Sequence, residues 1–267
     1  MNLLNLLLLS SILMGLFASI LLLGKSSPTR RGFRWLAAYL IIFTLFSLHG
    51  WMMATGHIAA YPYLLGTTIP LYFLPPVLGF VYMRSVVVPH YRWKKSEVLH
   101  FLPTLLCLID LSPFYLSEPG AKMEQLSRSL AGQSSLVLEE NSFTGFQFYL
   151  PAMLATGLYY LLFTGSLLAR FKQKLDESAT EEGRGMFSWL GIFTALFFIF
   201  WLGNSLDFIS RHHVNGEVLN NAKNAGTSLS LIVTVILLAL FCRPINLYYR
   251  NQFHPATAEK RRNKGIL

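Results

Sequence analysis

An uncharged run near the N-terminus, Asn2–Gly24, reads NLLNLLLLSSILMGLFASILLLG and decides the fold class of the chain. A helix of about 20 apolar residues is long enough to cross the hydrocarbon core of a bilayer. No positively charged stretch precedes the run, and it is longer than the apolar core of a secretory signal peptide. We therefore interpret it as a transmembrane helix.

The composition extends this interpretation to the rest of the chain. Of the 267 residues, 53% are apolar and 13% are charged, and the mean hydropathy is +0.46. Soluble domains carry about 25% charged residues, so the composition argues against a soluble globular enzyme and against a disordered chain. The two cysteines, Cys107 and Cys242, lie in or beside apolar runs and are expected to be small buried side chains rather than a disulfide framework.

Apolar runs recur along the chain, and none shows the alternation of a barrel strand. Because a lipid-exposed segment must satisfy its own backbone hydrogen bonds, each run is expected to be a helix. The sequence predicts an all-α polytopic membrane protein with seven transmembrane helices, at about 2–24, 35–55, 63–87, 98–116, 146–169, 187–209 and 225–242. Residues 1–242 are the predicted membrane domain. Residues 243–267 are a predicted basic cytoplasmic tail, or a linker to a missing output domain.

Lysine and arginine residues predict the orientation of these spans. Eighteen of the 22 fall in the connections on one side, and the other four are Lys122, Arg128, Arg211 and Lys223. Short cytoplasmic loops carry the excess of Lys and Arg in membrane proteins. The N-terminus is therefore predicted to lie outside and the C-terminus in the cytoplasm, as an odd number of spans requires.

Three of the predicted spans contain prolines. Pro70, Pro75 and Pro76 lie in the third, Pro103 and Pro113 in the fourth, and Pro151 in the fifth. Proline removes a backbone hydrogen bond and clashes with the preceding turn, so it kinks or interrupts a helix. We expect these three spans to be kinked or interrupted.

The connections carry two local helix signals. Met123, Leu126 and Leu130 recur at helical spacing in the predicted outer loop 117–145, which favours a short amphipathic helix there. Ser178 and Glu181 have the spacing of a capping box, which would start the sixth helix.

Polar side chains inside the predicted spans are candidates for a ligand pocket, because a polar group in a bilayer is costly to bury. His49, Asp110, Asn204 and Asp207 lie in the predicted outer halves of the second, fourth and sixth spans. The sequence predicts that these four residues line a pocket open to the outside. The alternative is that Asp207 snorkels to the interface and Asp110 hydrogen-bonds a neighbour.

Signatures of membrane and hydrolytic enzymes are absent from the sequence. Asp110 and Asp207 lack the Gly-x-Gly-Asp context of intramembrane aspartyl proteases, and neither His-Glu-x-x-His nor Gly-x-Ser-x-Gly occurs. The adjacent His212 and His213 do not share a helix face and make a poor chelating pair. We expect a protein that is not an enzyme, with no cofactor and no metal.

Three stretches resemble the membrane region of AraC/XylS-type transcriptional regulators, and the resemblance covers most of the chain. Residues 70–85 read PLYFLPPVLGFVYMRS and residues 100–103 read HFLP. Residues 167–175 read LLARFKQKL and are followed by Ser178 and Glu181, in the order that the family shows. The resemblance implies a multi-helix membrane sensor that signals to a cytoplasmic helix-turn-helix domain.

In such regulators a basic stretch like residues 259–264 leads into the DNA-binding domain. This chain stops at Leu267, so no DNA-reading residue can be carried over, and DNA is expected as a partner only through an output domain absent from this chain. The residues expected to couple the helices to that output are Arg170, Lys174, Ser178, Glu181, Lys260, Arg261 and Arg262.

The predicted function is therefore the sensory input module of a bacterial transcriptional regulator, a multi-pass protein of the inner membrane. An external ligand or a membrane cue would bias two packings of the helices. Candidate partners are the lipid bilayer, a small external ligand and a second copy of the chain in a homodimer. Two alternatives stay open, a small-solute transporter or permease-like protein and an integral membrane enzyme acting on lipid. The lack of an internal repeat weakens the transporter reading.

Overall fold

The computed structural model describes residues 3–24, 30–88, 91–130, 142–144, 148–178 and 181–213. Within these ranges the chain is helical, with turns and short connections and no strand, so the predicted all-α fold is confirmed for this part. The predicted seventh span, 225–242, and the tail with Lys260, Arg261 and Arg262 lie outside the described residues. The α-helices are α1 (Leu3–Leu23), α2 (Arg30–Thr55), α3 (Thr68–Leu71), α4 (Leu74–Val87), α5 (Leu102–Asp110), α6 (Ser112–Leu116), α7 (Pro119–Leu130), α8 (Tyr149–Ser178) and α9 (Glu181–His213).

Four of these helices, α1, α2, α8 and α9, are long and apolar enough to cross a membrane. They correspond to the first, second, fifth and sixth predicted spans. Helix α1 exposes large apolar side chains, and its buried face combines Leu8, Ile12 and Leu22 with small residues. Ser11 and Ser19 are buried, whereas Leu13, Phe17 and Ile20 are more than 60% exposed. Small residues at a helix interface and large apolar ones outside are typical of membrane helices.

The third predicted span is broken rather than continuous. The segment Pro62–Leu71 and helix α4 meet at a bend of 44° and count together as one candidate span. Pro75 and Pro76 stand in the first turn of α4, where a proline has no helical hydrogen bond to lose. They start the new helix and prevent the preceding segment from running straight into it.

The fourth predicted span, 98–116, is not a single helix. It consists of a 3₁₀ segment, Lys95–Phe101, followed by α5 and α6. Pro103 and Pro113 each stand in the first turn of one of these α-helices. Each piece alone is shorter than the roughly 20 residues that a straight spanning helix needs.

The helices pack in the order α1, α2, α4, α8 and α9, with a further contact between α4 and α9. Their main core is aromatic: the Tyr39 ring lies 4.8 Å from that of Phe43 and 5.1 Å from that of Phe193. Inside this core the indole Nε1–H of Trp189 donates a 2.8 Å hydrogen bond to the Tyr82 hydroxyl. The buried side chains of the core come from α1, α2, α4 and α9.

The predicted amphipathic helix in the loop 117–145 is present as α7. Its Leu126 is buried against Met52, near the end of α2, and against Ile58, just after that end, and Met123 packs beside it. The helix thus covers the end of α2 opposite to the basic residues Arg84 and Arg170.

Candidate functional site

A buried glutamate organises the segment that follows α4. Glu97 is 6% exposed, and both of its carboxylate oxygens are engaged. Arg84, in the last turn of α4, donates from Nη1 to Oε1 at 2.7 Å. The Tyr91 hydroxyl and the backbone N–H of Lys94 donate to Oε2 at 2.7 and 3.0 Å. The carboxylate therefore joins α4 to residues 91–97.

The ionisation of this cluster follows from its contacts. Burial alone would raise the pKa of Glu97, but the hydrogen bonds from Tyr91 and Lys94 and the charges of Arg84 and His100 together hold that pKa below its ordinary value. The pKa of Tyr91 is raised, first by burial and then by its hydrogen bond to the Glu97 carboxylate. Glu97 is thus an anion and Tyr91 a neutral donor at neutral pH.

One turn further along, His100 connects the same segment to α8. Its Nδ1 lies 2.7 Å from the hydroxyl of Tyr160, and the two share a hydrogen bond. Both rings contact Phe80, with centroids 5.9 and 5.5 Å from that of the phenylalanine. The 3₁₀ segment, α4 and α8 are thereby held together at the end where Arg84 lies.

These contacts form the wall of a cleft of about 340 Å³, which we call the Arg84–Arg170 cleft. Aromatic and aliphatic side chains make up most of its lining, and two arginines, a histidine and a serine supply the polar groups. The lining residues are Phe80, Arg84, His100, Tyr159, Tyr160, Phe163, Ser166, Leu167 and Arg170. A concave apolar surface with a few convergent polar groups is the usual form of a small-ligand site.

Two of the predicted coupling residues lie on this part of α8. Arg170 lines the cleft, and Lys174 follows it one turn later on the same helix. Ser178 is the last residue of α8 and Glu181 is the first residue of α9, and the capping box predicted for the start of the sixth helix stays a prediction. The side chains of Ser178 and Glu181 lie outside the described part of the chain.

The four predicted pocket residues are not shown to converge. The Nε2 atom of His49 and the Oδ2 atom of Asp110 are buried, and neither has a hydrogen-bond partner among the described residues. Asp110 accepts a 3.0 Å hydrogen bond at Oδ1 from the backbone N–H of Thr144. The side chains of Asn204 and Asp207, on the last part of α9, lie outside the described residues.

None of Arg84, Glu97 and His100 is among the pocket or coupling residues predicted from the sequence. A usable signal was present in residues 91–97, where one acidic residue follows three basic ones in a chain with few acids. The partner across the cleft, Tyr160, carries no such signal because it is 60 residues away from His100.

No protein-family model, curated protein or solved structure matches the chain. The resemblance to AraC/XylS-type membrane regions accordingly stays a prediction.

Proposed function

We propose that this chain is a membrane-embedded sensory module of the bacterial inner membrane, whose helices transmit the state of a ligand site to a cytoplasmic output. One observation carries the proposal. Arg170 lines the cleft, and the helix that bears it runs without a break from Tyr149 to Ser178.

The length of α8 supports this role. Its 30 residues span about 45 Å, whereas the hydrocarbon core of a bilayer is about 30 Å thick. A group bound beside Arg170 would therefore contact a rigid rod that continues beyond the membrane to the connection before α9. A rod of this kind can shift or rotate as one unit when a ligand biases its packing.

The proposed topology has seven spans, with the N-terminus outside and the C-terminus in the cytoplasm. The four long helices and the bent pair support five crossings. The fourth crossing would be residues 98–116, which include α5 and α6 and on which Leu105, Leu106 and Ile109 are all more than half exposed. The distribution of Lys and Arg supports the orientation.

This topology is tested by fusing alkaline phosphatase or green fluorescent protein after residues 30, 92, 130, 176 and 250. Fluorescence at 30, 92, 176 and 250 with phosphatase activity at 130 is the expected pattern. The opposite pattern at any of these positions contradicts the proposed orientation.

The sensory role is tested by sequencing the RNA of the native host with the gene intact, deleted, or carrying Arg170→Gln. A sensor predicts a discrete set of transcripts that changes on deletion and is altered by the variant. An unchanged transcript profile after deletion, at all growth conditions tried, would contradict the sensory role.

A small-solute transporter is the second candidate, and the 44° break before α4 is the observation that favours it. Broken helices line the substrate sites of many secondary transporters. Uptake of a labelled solute by proteoliposomes holding the full chain, abolished by Pro75→Ala with Pro76→Ala, would support this reading over the sensory one.

A further inference from the structure

The Arg84–Arg170 cleft has a lining of mixed character that constrains what it can hold. Phe80 and Tyr160 are buried at 8% and 5% exposure, whereas Ser166 and Arg170 are exposed. The cleft thus joins an apolar interior to a charged opening. An occupant that fits it has a polar head and an apolar body.

The charges that line the cleft favour one negative charge on the head. Arg84 is neutralised by its ion pair with Glu97. Within the described residues no carboxylate forms an ion pair with Arg170, whose positive charge is left over. One net positive charge next to an apolar surface matches a monoanionic group.

Hydrogen-bond donors are available for such a group. An arginine carries five N–H donors, and only one of those of Arg84 is used by the described hydrogen bonds. Because Glu97 and Tyr91 hold that guanidinium in place, little side-chain entropy is lost when it binds an anion. Arg84 is therefore a preorganised half of an anion site, and Arg170 is its exposed half.

The size of the cleft and the surface next to it identify the apolar part of the occupant. A volume of about 340 Å³ is at the low end of the range for small-ligand sites, and suits a head group with its first few carbons. Tyr159, Leu162 and Phe163 continue this surface along α8 and are 51%, 65% and 45% exposed. A long acyl chain would lie along these side chains.

We infer that the Arg84–Arg170 cleft binds the phosphodiester head group of one anionic phospholipid, whose acyl chains follow the exposed face of α8. Basic pockets between membrane helices on the cytoplasmic side are suited to such head groups. The binding of a lipid to this cleft does not depend on the sensory role. The further statement that this lipid is the sensed cue rests on the proposed function.

The test is native mass spectrometry of the full chain in detergent, titrated with phosphatidylglycerol or with phosphatidylcholine. Arg170→Gln removes the exposed charge of the cleft and leaves the Glu97 cluster intact. Lys172→Gln is the matched control, because Lys172 carries the same charge on the same helix but does not line the cleft. A third sample adds inorganic phosphate at millimolar concentration to the unmodified chain.

The expected result is that the first phosphatidylglycerol binds the unmodified chain and the Lys172→Gln variant within twofold of one another. Arg170→Gln should weaken it about tenfold, the loss expected for one charge-assisted hydrogen bond. Phosphatidylcholine should bind all three weakly, and inorganic phosphate should not displace the lipid.

Three results would overturn the inference. Equal weakening by both substitutions would mean general attraction to a basic surface. No weakening by Arg170→Gln would mean that the lipid binds elsewhere. Displacement by inorganic phosphate would mean that a soluble phosphate compound is the occupant.

The failure of this site and the failure of the sensory role can be told apart. Lost lipid binding with an unchanged transcript profile in the Arg170→Gln strain would leave the site correct and its regulatory meaning wrong. Unchanged lipid binding with an altered profile would leave the sensory role in place and remove the lipid as its cue.

Discussion

Buried polar side chains have hydrogen-bond partners at one end of the helices and lack some of them, among the described residues, toward the other end. At the end that holds Arg84, every carboxylate oxygen of Glu97 has a donor, and the histidine beside it is hydrogen-bonded. Toward the opposite end, His49 and Asp110 each bury a polar atom that has no partner among the described residues.

The difference separates two kinds of buried polar group. A satisfied cluster stabilises the arrangement of the elements that it joins, and its disruption is expected to cost stability. An orphaned polar atom weakens the folded state unless something else pairs with it. Substitutions at the Arg84 end are therefore expected to cost more stability than substitutions at the end that holds His49 and Asp110.

The largest effect is expected from Glu97→Ala. The change leaves the Arg84 guanidinium and the Tyr91 hydroxyl without their acceptor, and we expect a loss of about 2–3 kcal/mol, less than for a fully buried pair because Arg84 is one-third exposed. Denaturant unfolding in detergent micelles, followed by circular dichroism, measures it. Glu118→Ala, at an exposed position, is the control and should be neutral. Equal stability of both variants would contradict a stabilising role of the Glu97 cluster.

Helices α8 and α9 pack closely at Gly157 and Trp201, and the stability of the chain is expected to depend on this contact. A Cβ at Gly157 would overlap the ring of Trp201, whose Nε1–H donates to the Leu154 carbonyl at 3.1 Å. Gly157→Ala should therefore destabilise the chain by about 1–2 kcal/mol. Gly165→Ala on the same helix meets no atom within 4 Å and should be neutral or stabilising. Equal stability of the two variants in the same unfolding assay would contradict the close contact between Gly157 and Trp201.

The stability that the Glu97 cluster contributes is expected to depend on pH. Because the pKa of Glu97 is lowered from its ordinary 4.5, its charged contacts stabilise the fold fully above that pH. They lose this effect as the pH falls through the lower, folded-state value. At neutral pH the free energy of unfolding of the unmodified chain should exceed that of the Glu97→Gln variant by about 1 kcal/mol. The gap should stay constant from pH 8 to 5 and close below 4.5; a constant gap down to pH 3 would contradict the lowered pKa.

The smallest effect on stability is expected at Asp110. Asp110→Asn keeps an acceptor for the Thr144 N–H and removes a partly buried charge, so stability should change by no more than about 0.5 kcal/mol. Asp110→Ala removes the acceptor and should cost about 1 kcal/mol. If Asp110→Asn and Asp207→Asn alter neither stability nor the transcript profile, the predicted outer pocket is wrong.

The long helices were predictable because a membrane-crossing helix needs only local information, the length and apolarity of one run. The runs that became α1, α2, α8 and α9 show this. The fourth run, 98–116, has the same apolarity, yet Pro103 and Pro113 divide it into short helices. Its prolines predicted distortion, but how far a proline breaks a helix depends on neighbouring elements that composition does not reveal.

The cleft was less predictable than the helices. Arg170 was predicted as a coupling residue in connection with the resemblance to AraC/XylS-type membrane regions, and that role stays a prediction. The approach of His100 to Tyr160 depends on how α4, α8 and the 3₁₀ segment pack. Non-local packing of this kind leaves no pattern within either stretch of sequence.

The hydrogen bond between Trp189 and Tyr82 joins two residues that are synthesised at different times. The two residues are 107 positions apart, and ribosomes add about 5–20 residues per second. Tyr82 therefore leaves the ribosome roughly 5 to 20 s before its partner does. During that interval the core face of α4 lacks the side chains of α9 that cover it in the folded chain, and the aromatic core closes only after α9 has been made.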